Sequence, residues 1–279
     1  MAQMTNIATD QGQEVLDRWE EIKKEADKLP EITDELKAEV LDKIIVARVG
    51  LLLRHPFFGN MATRLIIKEA SDWCPTAATD GRHLYYSVPF FAKMDNKEIE
   101  FVIAHEILHC VFDHMTRRED RDPQIHNIAA DYIVNNTLVR DNIGKKPADI
   151  PIFQDFKYDG KTSEEVYDDI YKKYDEEELK QLGQLLDEHI DWDKDSQDGK
   201  APSKKGKKKG EGQPSYSKEE LKKIRDEIKE SMMGAAQAAG AGKVPAEIER
   251  MIKELTEPKM NWREILRQQI QSTIKNDYT

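Results

Sequence analysis

Residues Asn96 to Arg117 read NKEIEFVIAHEILHCVFDHMTR, and the interpretation of the whole chain turns on them. Ile99, Val102, Ile103, Ile107, Leu108, Val111 and Phe112 recur at mixed three- and four-residue spacing, which predicts one amphipathic helix across the stretch. Inside it, His105, Glu106 and His109 form the pattern H-E-x-x-H. Residues four apart differ by about 40° around a helix, so both imidazoles leave one face a single turn apart. One rigid element thereby places two side chains of a tetrahedral zinc site. Glu106 reaches the same mouth, where a carboxylate can take the proton of a metal-bound water. Two histidines and a glutamate also fall on ordinary helices by chance. Here, however, Ala104, Ile107 and Leu108 give them apolar neighbours, among which an unpaired glutamate would be costly to bury.

The 279 residues are 38% hydrophobic and 35% charged, enough for one or two modest domains. A mean hydropathy of -0.75 calls for extensive solvated helix surface or linker. The net charge of -11 argues against a general nucleic-acid binder. That charge is local, with an acidic run from Asp168 to Asp198 and a basic run from Lys204 to Lys209. No stretch approaches the roughly 18 apolar residues of a membrane span. The N-terminal MAQMTNIATDQGQEV lacks the basic-then-apolar layout of a secretory signal, so a cytoplasmic location without membrane partners is expected. Cys74 and Cys110 are the two cysteines. Cys110 points about 100° away from His109 and reads as a buried packing thiol, with no disulfide expected.

Upstream, Glu14–Lys28 and Glu31–Leu53 both read as helices separated by Pro30. The second carries Leu36, Val40, Ile44, Ile45, Ala47, Val49 and Leu51 to Leu53, an apolar face that must pack on something. His55, before Pro56, reads as a loop or cap residue. RLIIKE (Arg64–Glu69) and HLYYSV (His83–Val88) predict two strands, with a turn signal at Thr79-Asp80-Gly81 between them. In zinc peptidases of this general layout such a strand pairs with an extended substrate; a merely structural hairpin satisfies the same residues.

Downstream, Pro123 closes a charged turn and a second helix runs from Gln124 to Val139. Asn127, Asp131 and Asn135 form one polar stripe beside Ala129 and Ala130, which suggests a buried polar row with assigned partners rather than a solvated face. Lys161–Tyr174 is a helix opened by a capping-type Thr162-Ser163-Glu164-Glu165, followed by an acidic helix at Glu176–Leu186. Asp195–Ser217 is low-complexity Lys/Gly/Ser/Pro sequence. Lys218–Ala239, Glu247–Leu255 and the amphipathic Asn261–Lys275 are helical. The expected division is 1–193, 194–217 as linker and 218–279 as a helical C-terminal segment.

A catalytic zinc keeps three protein ligands and one open position. Asp113 lies about 12 Å along the helix axis from His105 and cannot share its ion. His114 sits about 180° round the helix from His105 and could ligate only if the helix broke after Cys110, where neither Gly nor Pro stands. Asp131 is therefore the expected third ligand; as an alternative it would orient His105 or His109 through the distal ring nitrogen. Asn127 and Asn135 fall to supporting or substrate contacts. His189, beside Trp192, either stabilises an oxyanion, a role for which Tyr132 is the other candidate, or stands in as a ligand, against a plain surface-loop reading. His55, His83 and His126 read as structural.

The ordered blocks TAATDG (Thr76–Gly81), LYYSVPF, AHEILHCVFDHMTR, HNIAADYIVNNTL and LLDEHIDW resemble the metallopeptidase domain at the N-terminus of bacterial and phage proteins that often carry a von Willebrand factor A-like C-terminal domain. The similarity runs from about Leu36 to Trp192, with a weaker echo in NWREILRQQI, and stops short of an A-type domain, because the sequence ends at Thr279. It implies an α+β, mostly helical, zincin-like core with a small sheet preceding the H-E-x-x-H helix and a helical C-terminal extension. It also implies Zn2+ held by His105 and His109, with Glu106 catalytic, a protein or peptide substrate, and by analogy a MoxR-type ATPase partner. A metal-stabilised adaptor without turnover is the competing expectation.

Overall fold

The computed structural model describes residues 32–114, 116–148, 150, 152–173, 214 and 216–256. The expected helices Glu14–Lys28, Glu176–Leu186 and Asn261–Lys275, and His189 with Trp192, lie outside the described residues. The chain forms two compact units, Met1–Pro245 and Ala246–Thr279. The described part of the second is a single helix, α8 (Ala246–Thr256).

The first unit is α+β and mostly helical. Helix α1 (Asp34–Arg54) begins where Thr33 Oγ1 accepts a hydrogen bond from the Leu36 amide and where Asp34 and Glu35 complement the helix dipole. His55 ends α1, its amide donating to the Leu51 carbonyl, and leads into Pro56 at the start of α2 (Pro56–Arg64), so His55 is the cap residue expected of it. The two helices meet backbone to backbone: a Cβ on Gly59 would lie 2.2 Å from Leu52 Cα. The apolar residues of α1 divide between two faces. Val40, Ile44, Ala47 and Leu51 are buried, while Leu41, Ile45, Val46, Val49, Leu52 and Leu53 stay exposed, so only part of the expected packing face is used.

Two strands were expected before the H-E-x-x-H helix, and three form: β1 (Ile66–Glu69), β2 (Ala77–Thr79) and β3 (His83–Tyr86). Their order is β1-β3-β2. β1 pairs parallel to β3, with Ile66 opposite His83, so the two strands read from the sequence are not a hairpin. The hairpin is β2–β3, antiparallel, with Ala77 opposite Tyr86 and Thr79 opposite Leu84. Its turn is held by Asp80, which is fully buried and accepts from the Arg82 and His83 amides, His83 Nδ1 (2.7 Å) and the Tyr85 hydroxyl (2.9 Å). This satisfies His83 structurally, as expected. Three residues of mostly Ala were too short and too weakly β-forming to identify β2 from sequence.

A short helix α3 (Val88–Ala92) leads to α4 (Asn96–Val111), which carries the H-E-x-x-H pattern. Asp95 and Glu98 make a reciprocal capping box at its start. α4 is buried on nearly every side, the position of a central core helix. It ends at Val111, six residues short of the expected Arg117, because Asp113 takes a left-handed conformation with φ 59°. Asp tolerates that region better than most residues, so neither Gly nor Pro was needed to break the helix.

Helix α5 (Pro123–Arg140) is capped by the Asp122 side chain and packs along α4. Its other side meets α6 (Ser163–Tyr171), which opens with the expected Thr162/Glu165 capping box. Ile125, Ile128, Ala129, Phe153, Tyr158, Val166, Tyr167 and Ile170 form the core between them. Finally α7 (Lys218–Ala239) lays Ile224, Ile228, Met232, Ala235 and Ala239 into the same unit, packing on α2. Tyr216 and Ser217, at the end of the sequence read as linker, are engaged: Tyr216 donates to Asp80 and Ser217 caps α7. Among the described residues no helix is long and apolar enough to cross a membrane.

Candidate metal centre

His105 and His109 project from α4 towards α5, and their Nε2 atoms lie 3.0 Å apart. Asp131 meets them from α5, its Oδ1 3.4 Å from His105 Nε2 and 3.2 Å from His109 Nε2. Among the described residues this trio is the one group of three or more His, Cys, Asp or Glu side chains whose donor atoms converge, all within 4.8 Å. Electron-pair donors this close repel one another unless a proton or a metal cation is shared among them. Donor atoms about 2.0–2.1 Å from a tetrahedral ion stand roughly 3.3 Å apart, so the three separations fit such an ion, and two imidazoles with one carboxylate suit a borderline transition metal.

Neighbouring side chains set the imidazoles in the form a metal requires. Asn135, one turn beyond Asp131 on α5 and buried, donates through Nδ2 to the Phe153 carbonyl (3.0 Å). Its Oδ1 therefore faces His105 Nδ1 (3.0 Å) and accepts a proton-bearing nitrogen there, leaving the His105 Nε2 lone pair for the centre. His109 Nδ1 lies 3.2 Å from His114 Nδ1. Burial holds the His114 pKa well below the usual imidazole range, so His114 is neutral and its Nδ1 can accept from His109. Asn135 thus fixes the proton of His105 on Nδ1, and with His114 as acceptor the Nε2 atoms of both rings face the centre with their lone pairs.

Glu106 is buried on the same helix, one residue from His105. Cys110 is buried against Thr79, its sulfur 3.6 Å from Thr79 Oγ1, and burial pushes its thiol up to about 12 with Glu106 adding to the rise. That is the inert packing thiol the sequence implied. The side chains of His105 and Asp131 retain 16% and 15% exposure, while Asp131 Oδ1, the oxygen facing both imidazoles, is itself buried.

The structure therefore brings together His105, His109 and Asp131, with Asn135 behind them, as the polar stripe of α5 suggested. Asn127 is half-buried on that helix. Tyr132 packs its ring on Phe153 and Tyr158. His126 is buried with Nε2 lacking a hydrogen-bond partner and its pKa pushed down by burial to about 4, a structural histidine. Sequence reasoning weighed His114 only as a ligand and set it aside; it supports His109 instead. A non-Gly residue about to adopt positive φ leaves little trace in the sequence, though an Asp just before the last histidine was the available signal.

A mostly helical α+β unit in which two histidines and a carboxylate converge from adjacent helices offers a candidate metal site. The chain belongs to the family described as "Putative metallopeptidase domain", which it matches over residues 41–279. No curated protein and no solved structure matches it.

Proposed function

We propose that this chain is a zinc-dependent peptidase in which His105, His109 and Asp131 hold the ion and Glu106 is the general base. The observation that carries the reading is the convergence of the three donor atoms, with both imidazoles locked by Asn135 and His114 so that Nε2 faces the centre. When bound there, zinc supplies a Lewis acid and lowers the pKa of water to about 7.

The protein's own groups do the rest. Glu106 accepts the proton of the attacking water at a carboxylate oxygen and returns it to the leaving amine, so no proton is left over. Asp131 adds a negative charge to two neutral imidazoles and keeps the centre from carrying the full charge of a divalent ion. His189, outside the described residues, is the proposed donor to the oxyanion that develops on the substrate carbonyl. The substrate class is a protein or peptide.

Metal analysis joined to hydrolysis of a dye-quenched unfolded protein tests this. Glu106→Gln is expected to keep one zinc per chain and lose about 100- to 10,000-fold in rate, while Asp131→Ala loses the metal. His189→Ala is expected to lower kcat with metal retained. A wild-type chain that binds no zinc, or a Glu106→Gln variant that cleaves at the wild-type rate, would overturn the assignment.

A further inference from the structure

We infer that α7 governs the metal centre from a distance: Arg225 holds the turn that keeps His114 on His109, which makes Arg225 and Asp113 positioning residues. The inference rests on His109 being a ligand, as proposed above. Its starting point is the left-handed Asp113, φ 59°, immediately after α4. Asp adopts that conformation more readily than most residues with a Cβ, local bonds from the Asp113 and His114 amides to the Cys110 and His109 carbonyls close the turn, and side-chain partners can secure it further. Here the Asp113 carboxylate is gripped from two sides, by Thr116 Oγ1 (2.7 Å) and by an ion pair with Arg225 of α7.

The reversal at Asp113 decides where His114 goes. In a continuing helix, His114 would point about 180° away from His105 and well away from His109. With the chain turned back, the His114 amide donates to the His109 carbonyl (3.1 Å) and its ring reaches His109 Nδ1 (3.2 Å). Whatever secures Asp113 therefore secures the ring that lies against the proposed ligand His109. Such outer partners typically change metal affinity by about 10- to 100-fold when lost.

Arg225 acts from an anchored platform. Gly81, at the tip of the β2–β3 turn, sits so close to α7 that a Cβ there would lie 2.8 Å from Ile224 and 2.7 Å from Ile228. Arg82 donates twice to Glu227 (2.7 and 2.6 Å), Arg64 reaches Ser231 (3.1 Å), and Tyr216 donates to the buried Asp80. None of these contacts touches α4. The helix is thus fixed to the sheet and to α2, it packs on α4 directly as well, and Arg225 reaches from it to the metal-side turn. Arg117, a few residues on, is held separately by Glu164 of α6 (2.8 Å, two bonds).

A double-mutant cycle on the full chain tests the route. Co2+ affinity and the Co2+ electronic spectrum are measured for wild type, Arg225→Gln, His114→Phe and the pair, with unfolding of the metal-free proteins followed alongside. Arg225→Gln is expected to weaken Co2+ binding about tenfold and shift the spectrum, Arg225→Lys to recover most of the loss, and Arg225→Gln to have no further effect once His114 is Phe. Glu227→Gln, which loosens α7 elsewhere, is expected to leave the spectrum unchanged. Additive losses in the cycle, a wild-type spectrum in Arg225→Gln, or an equal shift in Glu227→Gln would each overturn the inference while leaving the metal assignment standing. A wild-type chain that binds no Co2+ would remove both. Should His114→Phe fail to fold, the comparison of Arg225→Gln, Arg225→Lys and Glu227→Gln decides the matter.

Discussion

Asn135 does two separable jobs, and substitution can pull them apart. Its Oδ1 accepts from His105 Nδ1 and its Nδ2 donates to the Phe153 carbonyl, both at 3.0 Å, from a side chain 2% exposed. In Asn135→Leu, which is similar in size, both bonds vanish. The Phe153 carbonyl is left in a dry core, at a cost of about 1–3 kcal/mol for a stranded buried group. The His105 side chain keeps 16% exposure, so its share falls at the low end of that range. Loss of the acceptor that orients His105 should weaken metal binding about 10- to 100-fold, or about 1.4–2.7 kcal/mol. Asn135→Asp keeps an acceptor for His105 but sets a second oxygen against the Phe153 carbonyl. It should therefore retain metal affinity within a few-fold while the metal-free protein loses stability comparable to the Leu variant. Competition with a chromophoric zinc chelator reads the first quantity and urea denaturation of the metal-free protein the second. If Asn135→Leu bound zinc as tightly as wild type, the argument that Asn135 selects the His105 tautomer would be wrong.

Other consequences are as direct. His126 has its pKa pushed down by burial to about 4, against 6.5 in an unfolded chain, so the unfolded state binds the extra proton between those values. Stability of the metal-free protein should fall as pH drops from about 6.5 to 4, with His126 responsible for about 3 kcal/mol of the loss. His126→Leu should flatten that part of a pH series of urea midpoints, and a parallel profile would refute the assignment. Gly81→Ala combines a φ of +81° with contacts under 3 Å to Ile224 and Ile228. It should cost about 2–5 kcal/mol by summing the left-handed and overpacking penalties, a shift that an unchanged denaturation midpoint would exclude. Cys110, buried and with its thiol pushed up to about 12, should resist alkylation in the native protein at pH 8 and react only on unfolding; mass spectrometry of the labelled peptide reads the difference.

The local signals in the chain were strong wherever they depended on short spacing. His105 and His109 share a face because they are four apart, and Asn127, Asp131 and Asn135 form a stripe for the same reason, so the pairing of α4 with α5 around one centre could be argued from residue order alone. Caps at Thr162 and the break at Pro56 were equally readable, since each is settled by bonds within a few residues.

Strand pairing was not. β1 and β3 are parallel neighbours with β2, a run of Ala-Ala-Thr, added on the far side of β3, and no local preference in those residues specifies a partner or a direction. The same limit applies to α1, where buried Val40, Ile44 and Leu51 alternate with exposed Leu41, Ile45 and Leu53 in one apolar run. Hydrophobicity says that a face will pack, and the neighbours decide which one.

By itself, then, the sequence marked the long helices α1, α4, α5, α6 and α7 and the donors that converge, though not the short α2 and α3, because backbone hydrogen bonding and a 3.6-residue repeat act over one or two turns. Tertiary structure alone decided that α4 stops at Val111, that Asp113 turns left-handed, and that His114 returns to His109. The Arg225–Asp113 ion pair proposed to secure that turn joins residues more than a hundred positions apart along the chain, and it exists only after the fold has brought its two ends together.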